Sequence, residues 1–300
     1  MLSRQDIRPT QTQTLINAGF LPVSVDYRLC PEVSLAEGPM VDVRDALGWV
    51  RRVLPNLPLL RPDILPDGNQ VVVVGWSTGG HLAMTLPWTA PAAGITAPDA
   101  ILAFYCPTDY EDPFWSRPNF PFGQTVASND MEYDVWEGVY STPITGYNPP
   151  LKERPLGGWM STSDPRSRIA LHMNWTGQTL PVLLKGWMHK NKVLGDDSSP
   201  NDLPCPMDEE IRAVSPQYQI RTGRYRTPTF LIHGTIDDLV PCAQTESTYN
   251  ALVANGIEAE IRVVQKAVHL FDLYPSFHAG QEAKDAVADG YEFLQRHVQL

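Results

Sequence analysis

Ser77 lies in the pentapeptide Gly-Trp-Ser-Thr-Gly at residues 75–79, directly after four consecutive valines at 71–74. A serine in this pattern is typical of a nucleophile when a strand precedes it and a helix follows, because the tight turn lifts the hydroxyl clear of the sheet. The valines predict such a strand, and residues 80–86 predict the start of a helix. We interpret Ser77 as a catalytic nucleophile, with the backbone amide of Thr78 as an oxyanion donor. A loop rich in serine and glycine, without chemistry, is the alternative.

A nucleophilic serine needs a base that takes its proton and an acid that orients the base. Two loops later in the chain offer them. Asp237 follows residues 229–232, which predict a buried strand, and His269 follows residues 258–264, whose alternating pattern also predicts a strand. The order serine, acid, histidine, with each partner just after a strand, favours Asp237 as the acid and His269 as the base.

Other titratable residues compete for these roles. Asp238 is the alternative acid, with a solvated turn carboxylate or a helix cap as its non-catalytic explanation. His233 ends a predicted strand, so we expect a structural role, with its ring bonded to a nearby backbone group. His81 falls in the helix after the nucleophile, and His172 and His189 lie in an irregular segment, where packing is the more common role of a single histidine.

Helices and strands alternate at both ends of the chain, which indicates a mostly parallel sheet covered by helices on both faces. Active sites in such α/β folds lie at the carboxyl ends of the strands, where all three candidate side chains fall. The helices are predicted at residues 11–18, 41–54, 243–255 and 280–298, and the strands at 20–27, 71–74, 100–105, 229–232 and 258–264.

The middle of the chain lacks this periodicity but is rich in proline and tryptophan, a composition that argues against disorder. We expect a cap inserted into the fold, with an aromatic core of its own and some side chains facing an apolar pocket. The predicted boundaries are 1–106 and 223–300 for the sheet domain and 107–222 for the cap. Trp76 and Trp115 are the substrate-binding candidates, and core packing is their alternative role. The tryptophans of the middle stretch are Trp115, Trp136, Trp159, Trp175 and Trp187.

The composition fits a globular enzyme and excludes several classes of partner. The chain has 300 residues, 43% of them hydrophobic, and a formal net charge of −11. This acidity argues against binding to nucleic acid or to an anionic membrane. No apolar run is long enough to span a membrane, and residues 1–9 lack the pattern of a signal peptide. The four cysteines have no metal-like spacing, so we expect free thiols, no metal, no cofactor and a cytoplasmic location.

Three segments resemble a known family. Residues 25–32, Val-Asp-Tyr-Arg-Leu-Cys-Pro-Glu, resemble the Asp-Tyr-Arg-Leu-Ala-Pro-Glu segment of hormone-sensitive-lipase-like α/β-hydrolases. Residues 75–84 and 103–110 look like the hydrolase or thioesterase domain that ends some fungal non-reducing polyketide synthases. The resemblance implies an α/β-hydrolase fold with an inserted cap.

The same resemblance implies release of a polyketide from the thioester of an acyl carrier protein, which would then be a partner. Ser77 would attack the thioester carbonyl, and water or a substrate hydroxyl would resolve the acyl-enzyme. An acyl thioester or ester is the expected substrate. A small-molecule carboxylesterase and a non-catalytic relative with a relic triad are the two alternatives.

One expected motif is absent from the sequence. The resembled group carries a His-Gly-Gly-Gly-type motif upstream of its Tyr-Arg-Leu segment, which supplies oxyanion-hole amides. The His-Gly of this chain is at residues 233–234 instead, and Met1 falls where the motif should have ended. Losing one oxyanion donor costs on the order of 10²–10³ in rate. We expect an incomplete sequence that also lacks N-terminal strands, such as a gene model begun at an internal methionine, with a degenerate paralogue as the alternative.

Overall fold

The structure, a computed structural model, describes residues 9–59, 61, 63–119, 138–146, 164–186, 204–272 and 280–298. Its elements alternate as the sequence predicts. The strands are β1 (Val73–Trp76), β2 (Ile101–Phe104), β3 (Thr229–Gly234) and β4 (Ala259–Val264). The α-helices are α1 (Pro9–Asn17), α2 (Pro39–Arg52), α3 (Thr78–Ala92), α4 (Pro165–Trp175), α5 (Thr179–Lys185), α6 (Asp208–Val214), α7 (Pro216–Arg221), α8 (Cys242–Ala254) and α9 (Gln281–Arg296). Short 3-10 helices cover Leu54–Asn56 and Pro113–Ser116.

The four strands form one parallel sheet in the order β1-β2-β3-β4. Parallel strands need helical crossovers, and the apolar strands β2 and β3 are buried along their whole length. Because all four strands run the same way, the loops that follow them meet at one edge of the sheet. The predicted parallel α/β architecture is therefore confirmed.

Helices cover both faces of the sheet. On one face, Met84 of α3 and Leu252 of α8 pack with Ile101 and Leu231 in a buried cluster. On the other face, α9 contacts β2, β3 and β4. Gly290 allows this close approach, since a Cβ there would lie 2.7 Å from a methyl of Leu102. Among the described residues, every helix is too short or too polar to cross a lipid bilayer.

One predicted strand is wrong. Residues 20–27 were expected to form a strand, but they take no part in the sheet. A strand exists only where its backbone pairs with a neighbour, and among the described residues β1 is an edge strand that pairs with β2 alone. Leu21 and Val23 are each 41% exposed, so the apolar pattern of this segment is not buried as a strand would bury it. The other predicted strands and helices lie within two residues of the observed ones.

The described chain divides into two compact units. The sheet unit comprises the described residues of Ile7–Val25, Met40–Asp109 and Ser215–Leu300. The helical unit comprises Asp26–Pro39 and the described residues of Tyr110–Val214. The segment at 26–39 joins the helical unit through backbone bonds, from the Leu29 amide to the Ile144 carbonyl at 2.9 Å and from the Leu35 amide to the Leu183 carbonyl at 2.7 Å. The cap boundaries at 107–222 stay a prediction.

Arg166 of α4 holds the helical unit together. Its side chain is 1% exposed, and it forms a two-point ion pair with Glu32 at 3.0 and 2.5 Å. Its remaining donors reach the Thr142 hydroxyl at 2.9 Å and the carbonyls of Cys30 and Pro143 at 3.3 and 3.2 Å. A planar guanidinium has five N–H donors, and here they tie three segments of the chain to one point.

Candidate active site

Ser77 occupies the turn between β1 and α3. Its backbone has φ 52° and ψ −124°, a conformation that side-chain-bearing residues rarely adopt. The neighbouring strand fixes this turn, since the Ser77 amide donates to the Phe104 carbonyl at 2.9 Å, and the Ser77 carbonyl accepts from the His81 amide at 3.1 Å. Strain of this kind persists where the surrounding structure enforces it, and it is common at reactive residues.

Two glycines make the turn possible. A Cβ at Gly75 would lie 2.2 Å from the Gly79 carbonyl oxygen, and a Cβ at Gly80 would lie 2.8 Å from Cβ of Cys106. Nothing lies within 4 Å of the corresponding point at Gly79. The steric need for glycine therefore falls on Gly75 and Gly80, so only one glycine of the pentapeptide itself is required by space.

His269 lies between Ser77 and Asp237. Its Nε2 is 2.9 Å from Oγ of Ser77, and its Nδ1 is 2.7 Å from Oδ2 of Asp237. An ionised carboxylate only accepts, so Nδ1 carries the proton and donates to Asp237. Nε2 is then the acceptor for the serine hydroxyl. The three residues predicted as nucleophile, base and acid are thus brought into one hydrogen-bonded chain.

Asp237 is the most strongly bonded carboxylate of the site. Its Oδ1 accepts from the amides of Leu239 and Val240 at 2.9 and 3.0 Å. Its Oδ2 contacts His269 and also His233, whose Nε2 is 3.1 Å away. Burial alone would raise the pKa of Asp237, but the charge and hydrogen bonds of the two histidines outweigh it and hold that pKa well below its usual range.

His233 makes one more contact than its sequence position predicted. Its Nε2 lies 3.0 Å from the Val240 carbonyl, which agrees with the expected bond to a backbone group. Nε2 faces two acceptors and therefore carries a proton, and Nδ1 pairs with the Thr245 hydroxyl at 2.6 Å. The contact with Asp237 was missed. The four-residue spacing from His233 to Asp237 across a tight turn is the only sequence signal that could have indicated it.

Asp238, the competing acid, is exposed, and the contact to His269 belongs to Asp237. Partial loss of solvent around its carboxylate, with the nearby charge of Asp237, raises the pKa of Asp238. The pKa of Asp237 is thus lowered, whereas that of its neighbour Asp238 is raised. This difference favours Asp237 over Asp238 as the ionised partner of the imidazole.

Thr78 and Trp76 flank the nucleophile. Thr78 is the first residue of α3, and the first amides of a helix have no acceptor within it. The oxyanion role of the Thr78 amide stays a prediction. The indole of Trp76 stacks on Phe104, with 5.3 Å between ring centroids, and its Nε1 donates to Asp272 at 2.9 Å. These contacts give Trp76 a packing role, and its predicted substrate contact stays a prediction.

Trp115 belongs to the helical unit. It is 3% exposed and packs against Tyr110 and Phe114, with ring centroids 5.3 and 4.9 Å apart. This aromatic cluster fits the expectation that the middle stretch has a small core of its own. The substrate role of Trp115 stays a prediction, and Trp136, Trp159 and Trp187 lie outside the described residues.

The described residues contain no group of three or more His, Cys, Asp or Glu side chains that could hold a metal ion. All four cysteines are free thiols. Burial raises the pKa of Cys106, which lies beneath the nucleophile turn, to about 12. A thiol with that pKa stays protonated at neutral pH, and Ser77 stays the predicted nucleophile of this turn.

Two family models match the chain. The model of the alpha/beta hydrolase fold covers residues 9–151, and the model of the prolyl oligopeptidase family covers residues 196–300. The chain has the α/β-hydrolase fold that its sequence predicts. The first model contains Ser77, and the second contains Asp237 and His269. The gap between the two matches lies within the middle stretch, which separates the two groups of alternating helices and strands.

Among curated proteins, this α/β-hydrolase chain is 80% identical over 300 residues to the non-reducing polyketide synthase mapC of Penicillium brevicompactum. It is 64% identical to the non-reducing polyketide synthase adrD of Penicillium roqueforti and 57% identical to ausA of Emericella nidulans. These matches cover 99–100% of the chain but only 12% of each relative. The chain thus spans about an eighth of the length of the curated relatives it matches.

Solved structures show the same fold at low identity. Carboxyl esterase 2 of Tuber melanosporum matches with a TM-score of 0.55 at 17% identity, covering 100% of this chain and 74% of that one. An alpha/beta hydrolase superfamily protein from Enterococcus faecalis matches with a TM-score of 0.59 at 14% identity, covering 98% and 85%. At these identities, the likeness supports the fold alone.

Proposed function

We propose that the chain is a serine hydrolase of thioesters or esters. The observation that carries the proposal is the chain of hydrogen bonds from Ser77 Oγ through His269 to Asp237, at 2.9 and 2.7 Å. This is the arrangement of nucleophile, general base and orienting acid that acyl transfer requires.

In the proposed reaction, Ser77 Oγ attacks the carbonyl carbon of the acyl group while its proton passes to His269 Nε2. The imidazolium that forms is stabilised by Asp237, whose four donors keep it ionised. The carbonyl oxygen becomes an oxyanion beside the amide of Thr78, at the positive end of α3.

Collapse of this intermediate breaks the bond to the leaving group, which departs as a thiol or alcohol with the proton from His269. Ser77 then carries the acyl group as an ester. Water or a hydroxyl of the substrate, deprotonated by His269, attacks that ester and frees Ser77. The product is a free acid in the first case and a lactone or ester in the second. No metal or cofactor takes part in these proposed steps.

We further propose that the acyl group is a polyketide carried by an acyl carrier protein. The support is the 80% identity, along all 300 residues, to part of a non-reducing polyketide synthase. Carrier-bound chains are held as thioesters, and thioester cleavage is within reach of a serine–histidine–aspartate site. The expected partner is therefore a carrier protein. The expected location of this chain is the cytoplasm.

Labelling with a fluorophosphonate probe tests the nucleophile. The intact mass of the wild-type chain should increase by one probe adduct, and Ser77→Ala should not react. Because Ser77 is strained, Ser77→Ala is compared with wild type by thermal melting to show that both are folded. Equal labelling of the two proteins would refute Ser77 as the nucleophile.

Turnover of three matched substrates tests the substrate class. The same acyl group is offered on a carrier protein, as an N-acetylcysteamine thioester and as a p-nitrophenyl ester. Carrier-dependent thioester release should give the highest kcat/KM with the carrier-bound substrate. Equal or faster cleavage of the free ester would indicate a small-molecule carboxylesterase, and no turnover of any substrate would indicate a non-catalytic relative.

A further inference from the structure

Asp272 lies three residues after His269 and collects hydrogen bonds from three other parts of the sheet unit. Its Oδ2 accepts from Gln11 Nε2 at 2.8 Å and from Trp76 Nε1 at 2.9 Å. Its Oδ1 accepts from the Tyr105 hydroxyl at 2.5 Å. The donors come from α1, from the end of β1 and from the residue after β2. One carboxylate therefore joins the loops that follow three different strands to the first helix of the described chain.

The bond to Trp76 links Asp272 to the nucleophile. Trp76 is the last residue of β1 and precedes Ser77 directly. Its ring is held on one side by the stack on Phe104 and at its edge by the bond to Asp272. Since Ser77 has a strained φ of 52°, the residue before it must be fixed for the turn to keep that conformation.

The bond to Tyr105 links Asp272 to the base. Tyr105 has φ 33°, it is fully buried, and its amide donates to the Ile232 carbonyl at 2.6 Å. Its ring lies 4.7 Å from the His269 ring, centroid to centroid. Leu270, which follows His269, also has a positive φ of 63°. One strained residue, Tyr105, therefore packs against the ring of His269, and another, Leu270, follows His269 in the chain. The Tyr105 hydroxyl donates to Asp272.

We propose that Asp272 is a positioning residue that holds Ser77 and His269 at attack distance through Trp76 and Tyr105. This inference rests on the serine-hydrolase function proposed above. The chemistry at Asp272 itself differs from that at Asp237, because its three donors are neutral groups and none belongs to a histidine. Burial raises the pKa of Asp272, although the bonds from Tyr105, Gln11 and Trp76 each act to lower it.

The variant Asp272→Asn tests this role with little change of shape. An amide has one acceptor oxygen and one NH₂ donor, so it cannot accept from donors on both sides as the carboxylate does. Tyr105→Phe removes a single donor from the same cluster. Asp289→Asn is the matched control. Asp289 forms an exposed ion pair with Arg262, 2.7 Å long, and belongs to neither the triad nor the Asp272 cluster.

The first measurement is steady-state turnover of a p-nitrophenyl ester, normalised to sites counted by the acylation burst. If Ser77 and His269 lose their attack geometry in Asp272→Asn, kcat per titrated site should fall on the order of 10²-fold, with KM little changed. Tyr105→Phe should lose less, and Asp289→Asn should match wild type. A variant that merely folds poorly would show fewer titrated sites with normal kcat, and that result would overturn the proposal.

The second measurement is the downfield proton resonance of the His269–Asp237 hydrogen bond, which needs no turnover. Asp272→Asn and Tyr105→Phe should shift or broaden it, while Asp289→Asn leaves it in place. If wild type does not turn over substrate, the proposed function fails and this resonance still decides the role of Asp272. An unchanged resonance in Tyr105→Phe with unchanged kcat would overturn the proposal, even if Asp272→Asn does not fold.

Discussion

In each compact unit, the described residues include a carboxylate paired with a buried nitrogen base, and the two pairs differ in what lies beyond the base. In the helical unit, Glu32 pairs with Arg166, whose donors continue to the hydroxyl of Thr142 and to backbone carbonyls. In the sheet unit, Asp237 pairs with His269, whose second nitrogen faces the hydroxyl of Ser77. Burial of a charged pair is therefore no mark of a reactive site by itself.

The difference follows from the two bases. An arginine stays protonated at every pH that a protein tolerates, so Arg166 can only donate and serves as a cross-link. A neutral imidazole has one nitrogen that donates and one that accepts, so His269 can donate to Asp237 through Nδ1 while its Nε2 accepts from the Ser77 hydroxyl. We expect changes at the first pair to alter stability and changes at the second to alter rate.

Asp237→Asn should have the largest effect on the rate. The amide would offer an NH₂ group to His269 and favour the wrong imidazole tautomer, which costs on the order of 10⁴ in kcat in comparable triads. Esterase turnover and thermal melting are measured together. A loss of activity without a large loss of thermal stability supports the comparison, and turnover near the wild-type rate contradicts it.

Arg166→Met should instead lower the stability of the protein, through the helical unit. Breaking a buried pair while leaving its partner costs about 3–5 kcal/mol of the free energy of unfolding, because Glu32 would keep an uncompensated charge. Denaturant unfolding measures the loss. Arg44→Met, which removes a partly exposed pair with Asp45, is the control and should cost less than about 1 kcal/mol.

The double variant Glu32→Met with Arg166→Met sharpens this prediction. Removing both charges leaves no unpaired carboxylate, so stability should recover in part relative to Arg166→Met alone. A double variant that is less stable than the single one would show that the carbonyl contacts of Arg166, and not its charge, hold the helical unit.

Acidification should weaken the sheet unit through Asp237. An unfolded aspartate titrates near about 3.9, and the folded pKa of Asp237 lies below that value. Its contribution to stability is therefore complete above the unfolded pKa and is lost as the pH falls through the folded one. The free energy of unfolding, measured by denaturant from pH 5 downward, should fall more steeply in wild type than in Asp237→Asn. Equal slopes would contradict the assignment.

Asp238→Asn should have the smallest effect. Asp238 is exposed and gives no contact to His269 that could set the tautomer, so turnover should stay close to wild type. The measurement is kcat on the same ester, beside Asp237→Asn as the matched neighbour. A crippled Asp238→Asn with a mild Asp237→Asn would move the acid by one residue.

The sheet unit was largely predictable from the sequence. Its strands β2 and β3 are apolar runs bounded by turn residues, and β4 alternates between apolar and charged residues. The loops after β1, β3 and β4 carry the three candidate residues. Parallel pairing then places those loops at one edge without further information. Hydrophobic period and chain order were sufficient because the local pattern and the tertiary structure agree there.

The contacts of Asp272 and Arg166 were not predictable. Each depends on side chains far apart in the sequence, such as Gln11 with Asp272 or Arg166 with Glu32. Periodicity carries no information about such pairings, which follow only from the packed structure. The strand predicted at 20–27 failed for a related reason, since a β pattern yields a strand only where a neighbour completes its ladder.

The order of segments along the chain has a consequence for synthesis on the ribosome. Strand β2 is buried on both faces and pairs with β1 and β3, yet residues 105–228, which include the later part of the helical unit, separate Phe104 from Thr229 along the chain. At about 5–20 residues per second, that stretch takes on the order of 10 s to translate. Until β3 is made, one edge of this apolar strand has no partner strand in the nascent chain. The proposed nucleophile, Ser77, is likewise made long before the proposed base, His269, so the proposed reaction has to wait for the last part of the chain.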